Sequence, residues 1–269
     1  MGSRTANIGQ SGFSPESFAG RTAVIAGGAS GIGNATALQL ARQGCTIVIL
    51  DRDAARAEAA SAHIRSAGQL ACGIDCDVTD PASIQAALHR MSDLAISADF
   101  LVNCVGIVIG EPLVTLSPES WRRSFEVNLD GALFLSQALH GQLAASPVGA
   151  IVNVASLAAK GAYPMGGGYG PSKAALVSLT YQMAIEWAHE GIRVNAVNPA
   201  TTRTPMVANL PPESLEARAR SMPLGRLVEP DEVAATICFL LSPGAGAITA
   251  QAIDVDCGMS QSLVPAVKR

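Results

Sequence analysis

From Thr22 onward, short runs of apolar, β-branched residues recur between longer stretches of helical character. The runs cover residues 22–26, 46–50, 100–102, 150–154 and 193–197. They are apolar at successive positions rather than alternate ones. That pattern suits strands buried on both faces, as in a parallel sheet covered by helices. Helical stretches fall between them at residues 34–43, 54–66, 81–94, 118–143 and 172–189, and residues 230–241 with 252–255 repeat the theme. Asp80-Pro81, Ser117-Pro118 and Glu229-Pro230 each place a cap before a proline at the first helical position. Gly44, Gly68 and Gly191 stand where helices should stop.

Strand–helix alternation with short connections predicts one doubly wound α/β domain over residues 19–269, preceded by a flexible tail at 1–18. No linker, composition break or internal repeat divides it. The longest segment outside the alternation is 200–227, with prolines at 205, 211, 212 and 223. A segment of that length in a compact domain is expected to be a lid or binding loop.

Composition narrows the function classes. Net charge is −4 with no basic block, and aromatics are only 4% of residues, so no nucleic-acid partner is expected. No apolar run approaches bilayer length, and the polar, Gly/Ser-rich start has no signal-peptide pattern, so no membrane partner and a cytoplasmic location are expected. The six cysteines form no CxxC pair and no Cys/His metal spacing. They read as reduced structural thiols, with no metal site.

The first strand leads directly into Gly27-Gly28-Ala29-Ser30-Gly31-Ile32-Gly33, and a helix follows. Small residues there let the backbone approach a pyrophosphate at a helix N-terminus. A glycine-rich turn alone is a weak signal; its place between first strand and first helix strengthens it. About 20 residues on, Asp51 ends the second strand, where a carboxylate can bind both ribose hydroxyls of NAD and repel a 2′-phosphate. Arg52 beside it argues the other way, towards NADP, and Asp51 or Asp53 can also serve simply as a helix cap. NAD is the favoured cofactor and NADP the less favoured one.

Tyr169 and Lys173, four apart, share one helix face, with Ser156 thirteen positions upstream after the fifth apolar run. Tyrosine is a poor base at neutral pH, and an adjacent ammonium favours its phenolate. An isolated Tyr-x-x-x-Lys match is usually a surface pair. This chain, however, has only three lysines, at 160, 173 and 268.

With these motifs in this order, residues 18–258 resemble the short-chain dehydrogenase/reductase family. The glycine turn is similar to the family's Thr-Gly-x-x-x-Gly-x-Gly, with Ala26 for the threonine. Cys76-Asp77-Val78 resembles the adenine-binding segment, and Asn103-Cys104-Val105-Gly106 stands for Asn-Asn/Ala-Ala-Gly. Asn128 matches the catalytic asparagine. Pro199-Ala200, with Thr202 and Thr204, resembles the segment that meets the nicotinamide. The resemblance implies a Rossmann-like sheet of about seven strands with helices on both faces. It also implies an NAD(H)-dependent oxidoreductase interconverting a secondary alcohol and a ketone.

In that picture Tyr169 is the acid/base and Ser156 polarises the carbonyl. Lys173 binds the nicotinamide ribose and lowers the tyrosine pKa, and Asn128 anchors a relay water. Gly27, Ser30, Gly31, Ile32, Gly33, Asp51, Arg52, Asp77, Val78, Asn103, Val105, Gly106, Tyr169, Lys173, Pro199, Ala200, Thr202 and Thr204 bind the cofactor. Ser156, Leu157, Ala158, Met165, Gly168, Tyr169 and Met206 are expected around the substrate, with Arg203, Arg218 and Arg220 of the lid as anion contacts. A homotetramer or homodimer is implied. Two other readings share the motifs: a 3-oxoacyl-thioester reductase using NADPH, and a non-catalytic NAD(H)-sensing regulator. The intact Ser156, Tyr169 and Lys173 set disfavours the second.

Overall fold

The computed structural model describes residues 18–262. Seven strands form one sheet: β1 (Thr22–Ala26), β2 (Thr46–Asp51), β3 (Ala71–Asp75), β4 (Phe100–Asn103), β5 (Ala150–Val154), β6 (Arg193–Pro199) and β7 (Ala252–Val255). All neighbours pair in parallel, in the order β3-β2-β1-β4-β5-β6-β7. The helices are α1 (Gly31–Arg42), α2 (Ala54–Ser66), α3 (Pro81–Asp93), α4 (Pro118–Phe125), α5 (Gly131–Ala145), α6 (Tyr169–Glu186), α7 (Pro212–Ser221) and α8 (Pro230–Leu241).

The successive apolar residues of each strand serve two cores, because side chains alternate across a pleated strand. Ala23 and Ile25 of β1 join Ile47, Ile49, Val152, Leu40, Ile237 and Leu241 on one face. Val24 and Ala26 join Val48, Leu50, Leu101, Ile151, Leu135, Leu139 and Met183 on the other. Helices α1 and α8 pack together over the first face, and α3 with α5 belongs to the second. The strand order reverses between β1 and β4, so the loops leaving their carboxyl ends diverge and open a crevice there.

Three differences from the expected elements have physical causes. β3 was not anticipated, because Ala71-Cys72-Gly73-Ile74-Asp75 is a mixed, partly exposed edge strand without a continuous apolar run. Its Gly73 is needed for close packing: a Cβ there would sit 2.5 Å from the Ala57 carbonyl. The long helix expected over 118–143 is interrupted by a π-helical turn at Glu126–Asp130, separating α4 from α5. Finally, the expected tail at 1–18 lies outside the described residues except for Phe18. That residue is 1% exposed and packs edge-on against Phe100, 5.6 Å between ring centroids, so it belongs to the core. Among the described residues no helix is long and apolar enough to cross a membrane.

Candidate active site

A single large cavity of about 840 Å³ lies over the carboxyl ends of the strands, and most of the expected site residues line it. At one end is the turn from β1 into α1. Gly27 has φ +73°, and a Cβ on Gly33 would lie 2.3 Å from the Gly27 carbonyl oxygen, so this turn closes only with glycine. The missing threonine hydroxyl at Ala26 is not needed to tie the strand end: Cys104 N–H donates to the Ala26 carbonyl (2.9 Å), and Gly27 N–H donates to Leu50 (2.8 Å). Ser30 precedes α1 with an extended backbone and makes no side-chain cap bond. The amides of a first helical turn have no intrahelical acceptors, so this end of α1 offers donors to an anion.

Asp51 and Arg52 flank the cavity at the end of β2. Asp51 Oδ1 accepts the Asp53 N–H (3.2 Å), while Asp53 caps α2 by accepting the Arg56 N–H (3.0 Å). The capping role therefore belongs to Asp53, and Asp51 faces the cavity. Asp77 accepts from both the N–H (2.9 Å) and the hydroxyl (2.7 Å) of Thr79, bonds that hold its carboxyl below the usual range. Val78, Val105, Gly106, Pro199, Ala200, Thr202 and Thr204 complete this half. Gly106 leaves room for the lysine: a Cβ there would approach Lys173 Nζ to 3.2 Å.

The reacting half is built from β5 and α6. Ser156 follows β5 in extended conformation; its Oγ accepts the Ala158 N–H (3.1 Å), and its side chain acts on the nearby Tyr169 phenol so as to lower its pKa. Tyr169 opens α6, three residues earlier than the expected helix start at 172, and Lys173 sits one turn on. Lys173 Nζ donates to the Val154 carbonyl (2.8 Å), and burial pushes its pKa down to about 8. Burial also raises the Tyr169 pKa, and the Ser156 side chain only partly opposes it. The direction is opposite to that expected, because burial disfavours the charged phenolate.

Six expected residues do not line the cavity, Arg203 and Arg220 of the lid among them. Asn103 is buried, donating to Asn153 Oδ1 (2.8 Å) and Ser136 Oγ (3.3 Å), so its amide ties β4 to β5 and α5. Asn128 lies in the π-helical turn. Its Oδ1 accepts the Ile107 N–H (2.7 Å), and its Nδ2 donates to the Ile107 carbonyl and to Ser172 Oγ (3.0 Å each). It positions the β4 loop against α6 rather than facing the open cavity. Met165 points outward, 62% exposed, with φ +63°. Gly168 is packed under Ser124, whose Cβ would be 2.8 Å from a Cβ at that position. Leu157, Ala158 and Met206 do line the cavity, as expected.

Arg218, expected as an anion contact, lines the cavity, and the structure adds Tyr163, Lys160, Asp254 and Gln261. The Tyr163 ring meets that of Tyr169 edge-on, 5.9 Å apart, and Lys160 Nζ lies 2.8 Å from Asp254. Of the added residues, Tyr163 carried a signal in the sequence, being one of just three tyrosines and six residues from Tyr169.

A family model described as Enoyl-(Acyl carrier protein) reductase matches residues 27–260. Cis-4-hydroxycyclohexanecarboxylate dehydrogenase of Sinomonas cyclohexanicum is 39% identical over 90% of this chain and 98% of its own length. The chain belongs to the short-chain dehydrogenase/reductase family. It is an oxidoreductase of CH–OH groups and their carbonyl counterparts. Two solved structures share its fold. A putative gluconate dehydrogenase from Agrobacterium tumefaciens superimposes with TM-score 0.87 at 32% identity, covering 91% of this chain and 98% of that one. A 3-oxoacyl-[acyl-carrier protein] reductase with bound NAD from Brucella melitensis gives 0.85 at 30% identity, covering 92% and 94%.

Proposed function

We propose that this short-chain dehydrogenase/reductase interconverts a secondary alcohol and a ketone with NAD(H), using Tyr169 as the acid/base. The observation that carries this reading is a shared cavity: Ser156, Tyr169 and buried Lys173 open onto the same space as the glycine turn. The cradle fits a dinucleotide. Gly27, Gly31, Gly33 and Gly106 let the turn, Thr204 and Lys173 pack closely where a Cβ would crowd them, and the amides at the start of α1 would face a diphosphate. Asp51 would accept the adenosine ribose hydroxyls, and Lys173 those of the nicotinamide ribose. Thr202 and Thr204 would meet the carboxamide end.

When bound, the nicotinamide supplies or accepts the hydride. In oxidation, Tyr169 Oη takes the proton from the substrate hydroxyl; in reduction, it returns that proton to the carbonyl oxygen. Ser156 donates a hydrogen bond to the same substrate oxygen and holds it against the phenol. Asn128 acts through others, fixing Ile107 and Ser172 so that the β4 loop and α6 keep their separation. Residues 200–227 act as the lid that excludes water, and residues 19–269 as one catalytic unit. A cytoplasmic homotetramer is the assembly this reading carries.

A 3-oxoacyl-thioester reductase is the second reading, favoured by the named function of the Brucella structure. Asp51 opposes it, since a carboxylate there repels the 2′-phosphate of NADPH. Steady-state rates on a panel of secondary alcohols and ketones, with NAD and NADP side by side, test the proposal. NAD is expected to be preferred, and Tyr169→Phe to lower kcat by about 10²–10⁴-fold while the variant still binds the dinucleotide. Full activity in Tyr169→Phe would remove Tyr169 from the chemistry. An NADP preference would overturn the role of Asp51.

A further inference from the structure

Three of the four lid arginines are paired with carboxylates within the chain. Arg203 Nε lies 3.1 Å from Glu229, Arg220 Nη1 lies 3.3 Å from Glu216 and Arg226 Nη2 lies 2.6 Å from Glu232. Arg218 differs from all three. It is half-buried on α7, it lines the cavity, and among the described residues it makes no ion pair with a carboxylate. Its Nη1 donates to Thr201 Oγ1 at 3.2 Å, and its guanidinium carbon sits 5.8 Å from the centre of the Tyr163 ring. Tyr163 in turn meets Tyr169 edge-on at 5.9 Å. Two ring contacts in series thus separate the reacting phenol from an uncompensated positive charge. Leu157, Met206 and Leu210 line the same cavity and are apolar.

A guanidinium presents five N–H donors in a planar fork that matches a carboxylate bidentately, and Thr201 takes only one of them. Holding that charge beside apolar walls is unfavourable until an anion completes it. The Tyr163 face and the Thr201 hydroxyl fix the plane of the fork, so little freedom is lost when an anion docks. The Tyr163 ring touches both the fork and the Tyr169 ring, so a series of two contacts links them. A carboxylate directly beside the reacting carbon would not reach the fork, whereas one beyond a ring or short chain would.

We propose that Arg218 binds a carboxylate on the substrate. The preferred substrates are then hydroxy acids and oxo acids whose charge is separated from the reacting carbon by a ring or short apolar chain. This specificity rests on the reading of Tyr169 as acid/base at a secondary alcohol. The test compares 4-oxocyclohexanecarboxylate and 6-oxoheptanoate with their methyl esters, using wild type, Arg218→Gln, Arg218→Lys and the solvent-side control Arg220→Gln.

The wild type should prefer each acid over its ester in kcat/KM by about tenfold to a hundredfold, the size of a charge-assisted bidentate contact. That ratio should collapse towards one in Arg218→Gln, recover partly in Arg218→Lys and persist in Arg220→Gln. Calorimetric binding of cyclohexanecarboxylate to the NAD complex, which needs no turnover, should weaken about tenfold or more in Arg218→Gln. Equal wild-type use of acid and ester overturns the proposal, as does a ratio unmoved by Arg218→Gln. So does an effect of that variant on the KM for NAD instead, which would assign the arginine to the cofactor diphosphate. Arg218-dependent cyclohexanecarboxylate binding without turnover of any acid or ester would support the anion site and overturn the assigned reaction.

Discussion

The acid/base chemistry hinges on how three side chains share the charge of one proton. Tyr169 is pushed above the ordinary tyrosine pKa by burial, the Ser156 side chain pulls it back, and Lys173 is brought down to about 8. Alcohol oxidation needs the phenolate, so its kcat/KM should rise with pH through and beyond neutrality; ketone reduction needs the phenol and should fall over the same range. Ser156→Ala removes the side-chain interaction that favours the phenolate, and it should displace the rising limb to higher pH as well as lowering kcat. A pH–rate series on both enzymes measures this, and a limb left in place would separate Ser156 from the tyrosine's titration. Tyr169 and Lys173 are legible in sequence because their spacing on one helix fixes their proximity, and Ser156 because it follows the fifth apolar run. The direction of the tyrosine shift is not, because it depends on how much water the finished cavity excludes.

Among the elements, those whose purpose is continuous burial announced themselves, and those shaped by a single close approach did not. The strands buried on both faces read directly from runs such as Thr46–Asp51, whereas edge strand β3 is defined by pairing with β2 and by Gly73 under Ala57. The π-helical turn at Glu126–Asp130 was equally hidden. It adds a residue to the helical register and turns Asn128 towards Ile107 and Ser172, and no periodicity in residues 118–143 marks the step. The same close-approach logic makes the first βα turn testable. Gly33→Ala would force a Cβ to within 2.3 Å of the Gly27 carbonyl, so the turn must open. The expected outcome is a Kd for NAD raised about tenfold or more, with a far-UV CD spectrum still native, since the strain falls on a turn rather than a core. Wild-type affinity in that variant would mean that the turn does not carry the diphosphate.

At the scale of the whole molecule, the cavity, the lid and the free helix faces bear on one another. The described chain buries the central strands of its sheet, yet α5 and α6 keep large apolar side chains exposed: Phe134 at 37%, Tyr181 at 41% and Ile185 at 71%. Tyr181 and Ile185 are four apart and share one face of α6, the helix that also carries Tyr169 and Lys173. Apolar surface grouped in this way is favourable to cover, and among the described residues no element covers it there. A symmetric contact through α5 and α6 would bury these side chains and brace the catalytic helix from behind. Sedimentation equilibrium of the wild type should then give four times the 27.5 kDa chain mass. Ile185→Glu places a charge in the middle of that face, so it should shift the distribution to smaller species and lower Tm in a concentration-dependent way. A wild type that sediments as a single chain would leave this face to another partner and remove the brace from the account of α6.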